Sequence, residues 1–112
     1  MTTCLFCRII CRELPSKILY EDDTLIAIHD KFPKAPVHVL VMPKKHIPDL
    51  WDITPEDADL MAAVLAKLPA LATELGLTQG FRTIVNTGKD SGQEIFHLHF
   101  HLLGGKPSLP GF

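Results

Sequence analysis

The sequence predicts an α+β domain, an antiparallel five-stranded sheet with one long helix and a short N-terminal helix. Two observations carry that class. The elements read in the order helix, hairpin, strand, helix, hairpin, and short connections favour antiparallel neighbours. The one long helical pattern stands alone, with Leu60, Met61, Val64, Leu65, Leu68, Leu71, Ala72 and Leu75 recurring at helical spacing. At 112 residues the chain fits a single domain, 1–112, and can bury a substantial core.

Residues 4–11 suit a short helix, which Leu14–Pro15–Ser16 breaks because proline disfavours helical geometry in the residue before it. Ile18–Tyr20 and Thr24–His29 are β-prone and separated by Glu21–Asp22–Asp23, a hairpin pattern with an acidic turn. Asp30–Pro36 holds two prolines and reads as a loop. Val37–Met42 is apolar except for His38 and reads as a central strand. Thr54–Pro55–Glu56–Asp57 is a helix start: a capping hydroxyl, proline at the first position, and acids at the positive end. Gly76 is the natural C-terminal cap, and Pro69 should kink the helix between them. Phe81–Asn86 is a fourth strand, Thr87–Gly92 a polar loop, and Ile95–Leu103 the last strand, closed by Gly104–Gly105.

The formal net charge of −2 argues against non-specific nucleic-acid binding, which usually needs a basic surface. No apolar run approaches the ~20 residues that span a bilayer. The start, MTTCLFCRIICRELPSK, lacks the features of a secretory signal. Three cysteines, Cys4, Cys7 and Cys11, crowd near it, an odd and clustered set that reads as reduced thiols. The expected location is cytoplasmic.

The last strand raises the functional question. His97, His99 and His101 alternate with Leu98, Phe100 and Leu102, so on a strand the imidazoles share one face and the apolar residues the other. An exposed polar face would more often use Lys, Glu, Thr or Ser. A metal held by all three would need help, because three positions on one strand span too far for one ion. Imidazole titrates near neutrality and can serve as nucleophile, base or phosphate donor. Cys4-x-x-Cys7 has the spacing of half a tetrahedral zinc site, or of two small residues packed in a helix.

The segment resembles the signature of the histidine triad (HIT) superfamily. The flanks resemble its nucleotide-binding branch in order: Cys4 to Ile10, Leu14–Pro15–Ser16, Ala35 to His46, Gly80–Phe81–Arg82, Asn86, Gly92–Gln93 and Gly104–Gly105. The resemblance covers roughly 4–106 and implies a HIT-like fold that pairs as a homodimer with a ten-stranded sheet. It implies a hydrolase of nucleoside phosphoramidates or related purine nucleoside monophosphate conjugates, acting through a nucleotidyl-histidine. Alternatives within the resemblance are a diadenosine-polyphosphate hydrolase or a nucleotide-binding regulatory protein with little catalysis.

By the same resemblance His99 is the nucleophile, His101 contacts phosphate and assists the leaving group, His38 is a further active-site histidine, and His97 supports His99 through its carbonyl. Asp30 would hold the ribose hydroxyls. Asn86, Gly92 and Gln93 would surround the phosphate. Phe6, Ile9, Leu25, Ile28 and Phe32 would flank the base, although all five suit a core equally well. His38 could likewise be a satisfied core histidine and Asp30 a turn aspartate. Glu94 stands where many relatives carry serine, which bears on the leaving group. Cys4, Cys7, His46 and His97 match a structural Zn²⁺ site, with no catalytic metal implied, and Cys11 lies outside it.

Overall fold

The computed structural model describes residues 3–107, 109 and 111. Its elements are α1 (Leu5–Ile10), β1 (Ile18–Glu21), β2 (Leu25–His29), β3 (Val37–Pro43), α2 (Ala58–Glu74), β4 (Arg82–Ile84) and β5 (Phe100–Gly104). The five strands form one sheet in the order β1-β2-β3-β5-β4, every pairing antiparallel. The expected fold class is the observed one.

The sheet is covered on both faces, which is why β2 and β3 read as near-continuous apolar runs. On one face α2 packs Val64, Leu68, Leu71 and Ala72 against Leu25, Ala27, Val39, Val41, Phe100 and Leu102. On the other, α1 lays Phe6 and Ile9 over Ile26, Ile28, Leu40 and Met42. Each fully buried Leu or Ile contributes roughly 1.5–3 kcal/mol by leaving water.

Local chemistry sets the boundaries. The Asp22 carboxylate accepts the backbone N–H groups of Thr24 and Leu25 at 2.8 and 2.9 Å and the Tyr20 hydroxyl at 2.7 Å, fixing the acidic hairpin turn. Those bonds hold its carboxyl well below the usual range. Gly76, at φ 78°, closes α2: Leu77 N–H reaches the Ala72 carbonyl and Gly76 N–H that of Thr73.

Four boundaries differ from expectation. α1 ends at Ile10, well before Pro15, because Arg12 takes left-handed geometry at φ 70°. The first turn after Thr54 is a 3₁₀ turn over Pro55–Asp57, and the α-helix proper starts at Ala58. Pro69 lies inside α2, as expected; Pro69 and Leu65, whose carbonyl loses its donor, are both exposed, where water can satisfy that carbonyl. The regular ladder of β5 begins only at Phe100, not at Ile95, and β4 is three residues long.

Candidate active site and metal centre

β3 and β5 are neighbours, with Leu40 opposite His101 and His38 opposite Leu103. Facing residues share a side, so both imidazoles lie on the α1 face. Their rings meet, His38 Nε2 to His101 Nδ1 at 2.9 Å. The Lys34 backbone N–H donates to His38 Nδ1 at 3.1 Å. A neutral imidazole that accepts at Nδ1 carries its proton on Nε2. His38 Nε2–H therefore donates toward His101 Nδ1, and Asp30 Oδ2 lies 3.4 Å from that His38 Nε2. His101, accepting at Nδ1, in turn holds its proton on Nε2. A backbone amide thus sets the tautomers of two rings in sequence.

His99 is fixed the opposite way. Its Nδ1–H donates to the His97 carbonyl at 2.7 Å, which leaves a lone pair on Nε2. The Phe6 ring meets it edge to face, with centroids 5.0 Å apart. The His99 and His101 centroids are 5.1 Å apart, so a lone-pair nitrogen and a donor nitrogen belong to adjacent rings.

Burial is the first cause of low basicity at every one of these rings. It lowers the pKa of His99, against the His97 carbonyl bond and the Asp30 charge, which raise it. It lowers that of His38, with Asp30 again opposing. His101 is pushed down to about 4, by burial first and then by His99 and His38. Against an ordinary value near 6.5, these imidazoles are neutral at neutral pH.

His97 belongs to a second group. It is fully buried, and its Nε2–H donates to the Pro43 carbonyl at 2.8 Å. The lone pair on Nδ1 then points among Cys4 Sγ at 3.5 Å, Cys7 Sγ at 3.5 Å and His46 Nδ1 at 3.2 Å. Cys7 Sγ and His46 Nδ1 are 3.3 Å apart. A tetrahedral ion at ordinary Zn–N and Zn–S lengths separates its ligand atoms by about 3.3–3.7 Å. The four residues can hold a metal ion. Burial, then the neighbouring Cys4 thiol, pushes the Cys7 thiol up to about 11, a shift that a bound divalent cation reverses.

The loop after β4 is organised by Gln93. Its Oε1 accepts the Gly88 N–H at 2.8 Å, and its Nε2 donates to the carbonyls of Pro48 and Ile95 at 2.9 and 3.2 Å. The carboxamide is thus spent on backbone. Gly92 has φ 88°, and a Cβ there would meet nothing within 4 Å, so within the protein it is conformation and not crowding that calls for glycine. Asn86 is half-buried, two residues past Ile84, which pairs with His101. Asp30 is also half-buried, and its Oδ1 accepts the Phe32 N–H at 2.7 Å.

Among the expected base-flanking residues, Phe6, Ile9 and Ile28 lie on the histidine face, whereas Leu25 packs under α2 and is withdrawn from the site. Phe32 is 77% exposed. Glu94 is exposed and lines a hollow of about 450 Å³ with Cys4, His46 and Phe96, beside the thiol–imidazole cluster. Sequence patterns gave no signal for the Lys34 amide or the Pro43 carbonyl, since a backbone group's partner depends only on where the chain passes.

The profile of the HIT domain matches residues 11–108, and the chain belongs to that family. Among relatives, it is 43% identical over 104 residues to Protein HitA of Neisseria gonorrhoeae, covering 93% of this chain and 97% of that one. Among solved structures, a HIT family hydrolase from Clostridium thermocellum superposes with a TM-score of 0.94 at 46% identity, over 99% and 97% of the two chains. A histidine triad nucleotide-binding protein from Candida albicans matches with a TM-score of 0.82 at 31% identity, over 98% and 87%.

Proposed function

We propose that this protein hydrolyses purine nucleoside monophosphate conjugates, phosphoramidates above all, through a nucleotidyl intermediate on His99. The carrying observation is the opposed tautomers of adjacent rings: a lone pair on His99 Nε2 and a proton on His101 Nε2. His99 Nε2 attacks the α-phosphorus and the bond to the leaving amine breaks. The His101 Nε2–H, which His38 holds in the donating tautomer, hydrogen-bonds the departing amine nitrogen, and that nitrogen takes its proton from water. Positive charge develops on the His99 ring as the bond to phosphorus forms, and the Nδ1–H bond to the His97 carbonyl strengthens with it. The hydroxide left by that water then displaces the histidine, and the nucleoside monophosphate leaves. The names of the Clostridium and Candida relatives support hydrolysis and nucleotide binding.

Asp30 offers its Oδ2 to the ribose hydroxyls. Asn86 and the Gly92 backbone face the phosphate, and Gln93 serves by holding that loop. Cys4, Cys7, His46 and His97 bind structural Zn²⁺; four protein ligands leave no open position for a catalytic water. Thiol ligands of this kind fit the reducing cytoplasm. The chain pairs as a homodimer through the exposed stripe of α2, where Leu65 is 53% exposed, and the sheet edge at β4. Light scattering at a monomer mass would refute the pairing.

The test is release of a fluorogenic amine from an adenosine phosphoramidate by wild type and by His99→Ala, with folding checked by circular dichroism. Turnover confined to the wild type supports the reading. Equal rates, or none in either, would overturn it. Faster cleavage of a diadenosine polyphosphate would move the substrate class.

A further inference from the structure

His99 lies outside the hydrogen-bonded ladder. The last β3–β5 pair is Val41 with Phe100, so no strand pairing holds residues 97–99. The nucleophile of the proposed reaction needs a fixed ring, because small misplacements of a reacting group cost large factors in rate. Three contacts take the place of the ladder, and all three run to the thiol–imidazole cluster. The Leu98 N–H donates to the Ile47 carbonyl at 2.7 Å, one residue from the ligand His46. The carbonyl that orients His99 belongs to His97, itself a ligand. Phe6, whose ring stands edge-on to both His97 and His99, lies in α1 between the ligands Cys4 and Cys7.

Without an ion, the cluster is a poor anchor. The lone pair of His97 Nδ1 faces another imidazole nitrogen at 3.2 Å, with the Cys4 and Cys7 sulfurs each 3.5 Å away. The 97–99 segment then rests on the Leu98 N–H bond to Ile47, the His97 Nε2–H bond to Pro43 and the packing of buried Leu98. With an ion, the ring of His97 is gripped at both nitrogens, by metal at Nδ1 and by the Pro43 carbonyl at Nε2. Its carbonyl is then fixed, and so is the tautomer of His99.

We propose that the Cys4–Cys7–His46–His97 centre is a positioning device for the nucleophile: metal occupancy locks the His99 ring in its Nδ1–H tautomer. This rests on the reading of His99 as nucleophile, and it makes His46, Cys4 and Cys7 positioning residues.

The experiment follows the imidazole nitrogens of ¹⁵N-labelled protein at pH 8 by long-range ¹H–¹⁵N NMR, zinc-loaded and after chelation. His46→Ala is the chosen variant, since His46 is exposed and its loss leaves the core intact. His46→Cys restores a ligand, and Cys11→Ser removes a thiol outside the cluster. The loaded wild type should show one His99 tautomer, and the chelated protein and His46→Ala an averaged pair. kcat should fall about tenfold with KM little changed, as for other partners that orient a site without touching substrate. His46→Cys should recover both readouts, and Cys11→Ser should match wild type. Overturning results are a chain that takes up less than about a tenth of an equivalent of zinc, or chelation that lowers only the thermal midpoint while leaving the tautomer unchanged. If no variant hydrolyses the phosphoramidate, the functional reading fails, and the NMR comparison still decides the coupling.

Discussion

His38 and His101 sit on paired strands, and the backbone ladder between β3 and β5 brings their rings to 2.9 Å. His97 and His99 belong to the same alternating run but precede the ladder, and side chains and carbonyls hold them instead. On the proposed reading, the donor half of the site is therefore built by the sheet, whereas the nucleophile half is built by a thiol–imidazole cluster and a six-residue helix. The ladder shares its stability with the whole core. The off-ladder segment depends on a few contacts and can be loosened without unfolding the protein.

The sharpest way to break this comparison is at the nucleophile. His99→Ala should lower kcat by a factor on the order of 10⁴ or more, with the thermal midpoint nearly unchanged, since no strand pairing involves residue 99. Single-turnover kinetics with the phosphoramidate and a melting curve check both halves of that statement. The converse substitution is Leu102→Ala. Leu102 is fully buried under α2 and pairs with Val39 and Thr83. It should cost about 2–5 kcal/mol by urea unfolding and leave kcat per folded molecule within a small factor. Loss of activity at full folding would mean that the ladder, too, tunes the chemistry.

His38→Ala tests the donor half. It removes the ring that holds His101 in the donating tautomer, and kcat should fall on the order of 10²-fold. A leaving group that needs no proton should recover most of the loss. Uniform loss across a leaving-group series would assign His38 to packing alone.

How much of this was legible differs between the two halves. The apolar β3 run and the Gly76 cap act through local geometry and predicted their elements, whereas period-2 alternation found β5 but began it at Ile95 instead of Phe100. The His38–His101 pairing follows from β3 and β5 being neighbours, which the family resemblance implied and the order of elements did not. The end of the ladder at Phe100 was not legible, because alternation continues back to Ile95 while pairing with β3 stops at Val41, two residues before that strand ends. Leu25 was misplaced for a related reason: on a strand buried from both sides every residue is apolar, so composition cannot say which face looks at the site. Gln93 was expected beside the phosphate and its carboxamide bonds backbone, because a carboxamide looks the same in sequence whichever it meets.

The ladder half also carries a pH signature. The folded pKa of His101 is about 4, below the ordinary 6.5 of the unfolded chain. Between those values the unfolded state binds more protons, so stability rises with pH. The contribution is complete above about 6.5 and is lost as pH falls toward 4. Asp30, Lys34, His38 and His99 bear on the same ring. Urea midpoints measured from pH 7.5 to 4.5 should fall for wild type, and His101→Gln should flatten the slope. An equal slope in both would place the titration elsewhere.

The smallest effect concerns the loop that Gln93 holds. Gly88 has φ 82°, and a Cβ there would come within 2.8 Å of the Trp51 ring. Gly76 has φ 78° with nothing within 4 Å of the same atom. The two glycines share the strain of left-handed geometry, which costs an alanine roughly 1–2 kcal/mol, and differ in crowding. Gly88→Ala should therefore destabilise more than Gly76→Ala, and Trp51, the one tryptophan of the chain, should change its fluorescence only in the former. Since Gly88 also donates to Gln93, a shifted Trp51 should come with weaker substrate binding, read as a raised KM. Equal destabilisation with unchanged fluorescence would show that the exposed indole swings aside freely, and that the carboxamide of Gln93 alone holds the loop.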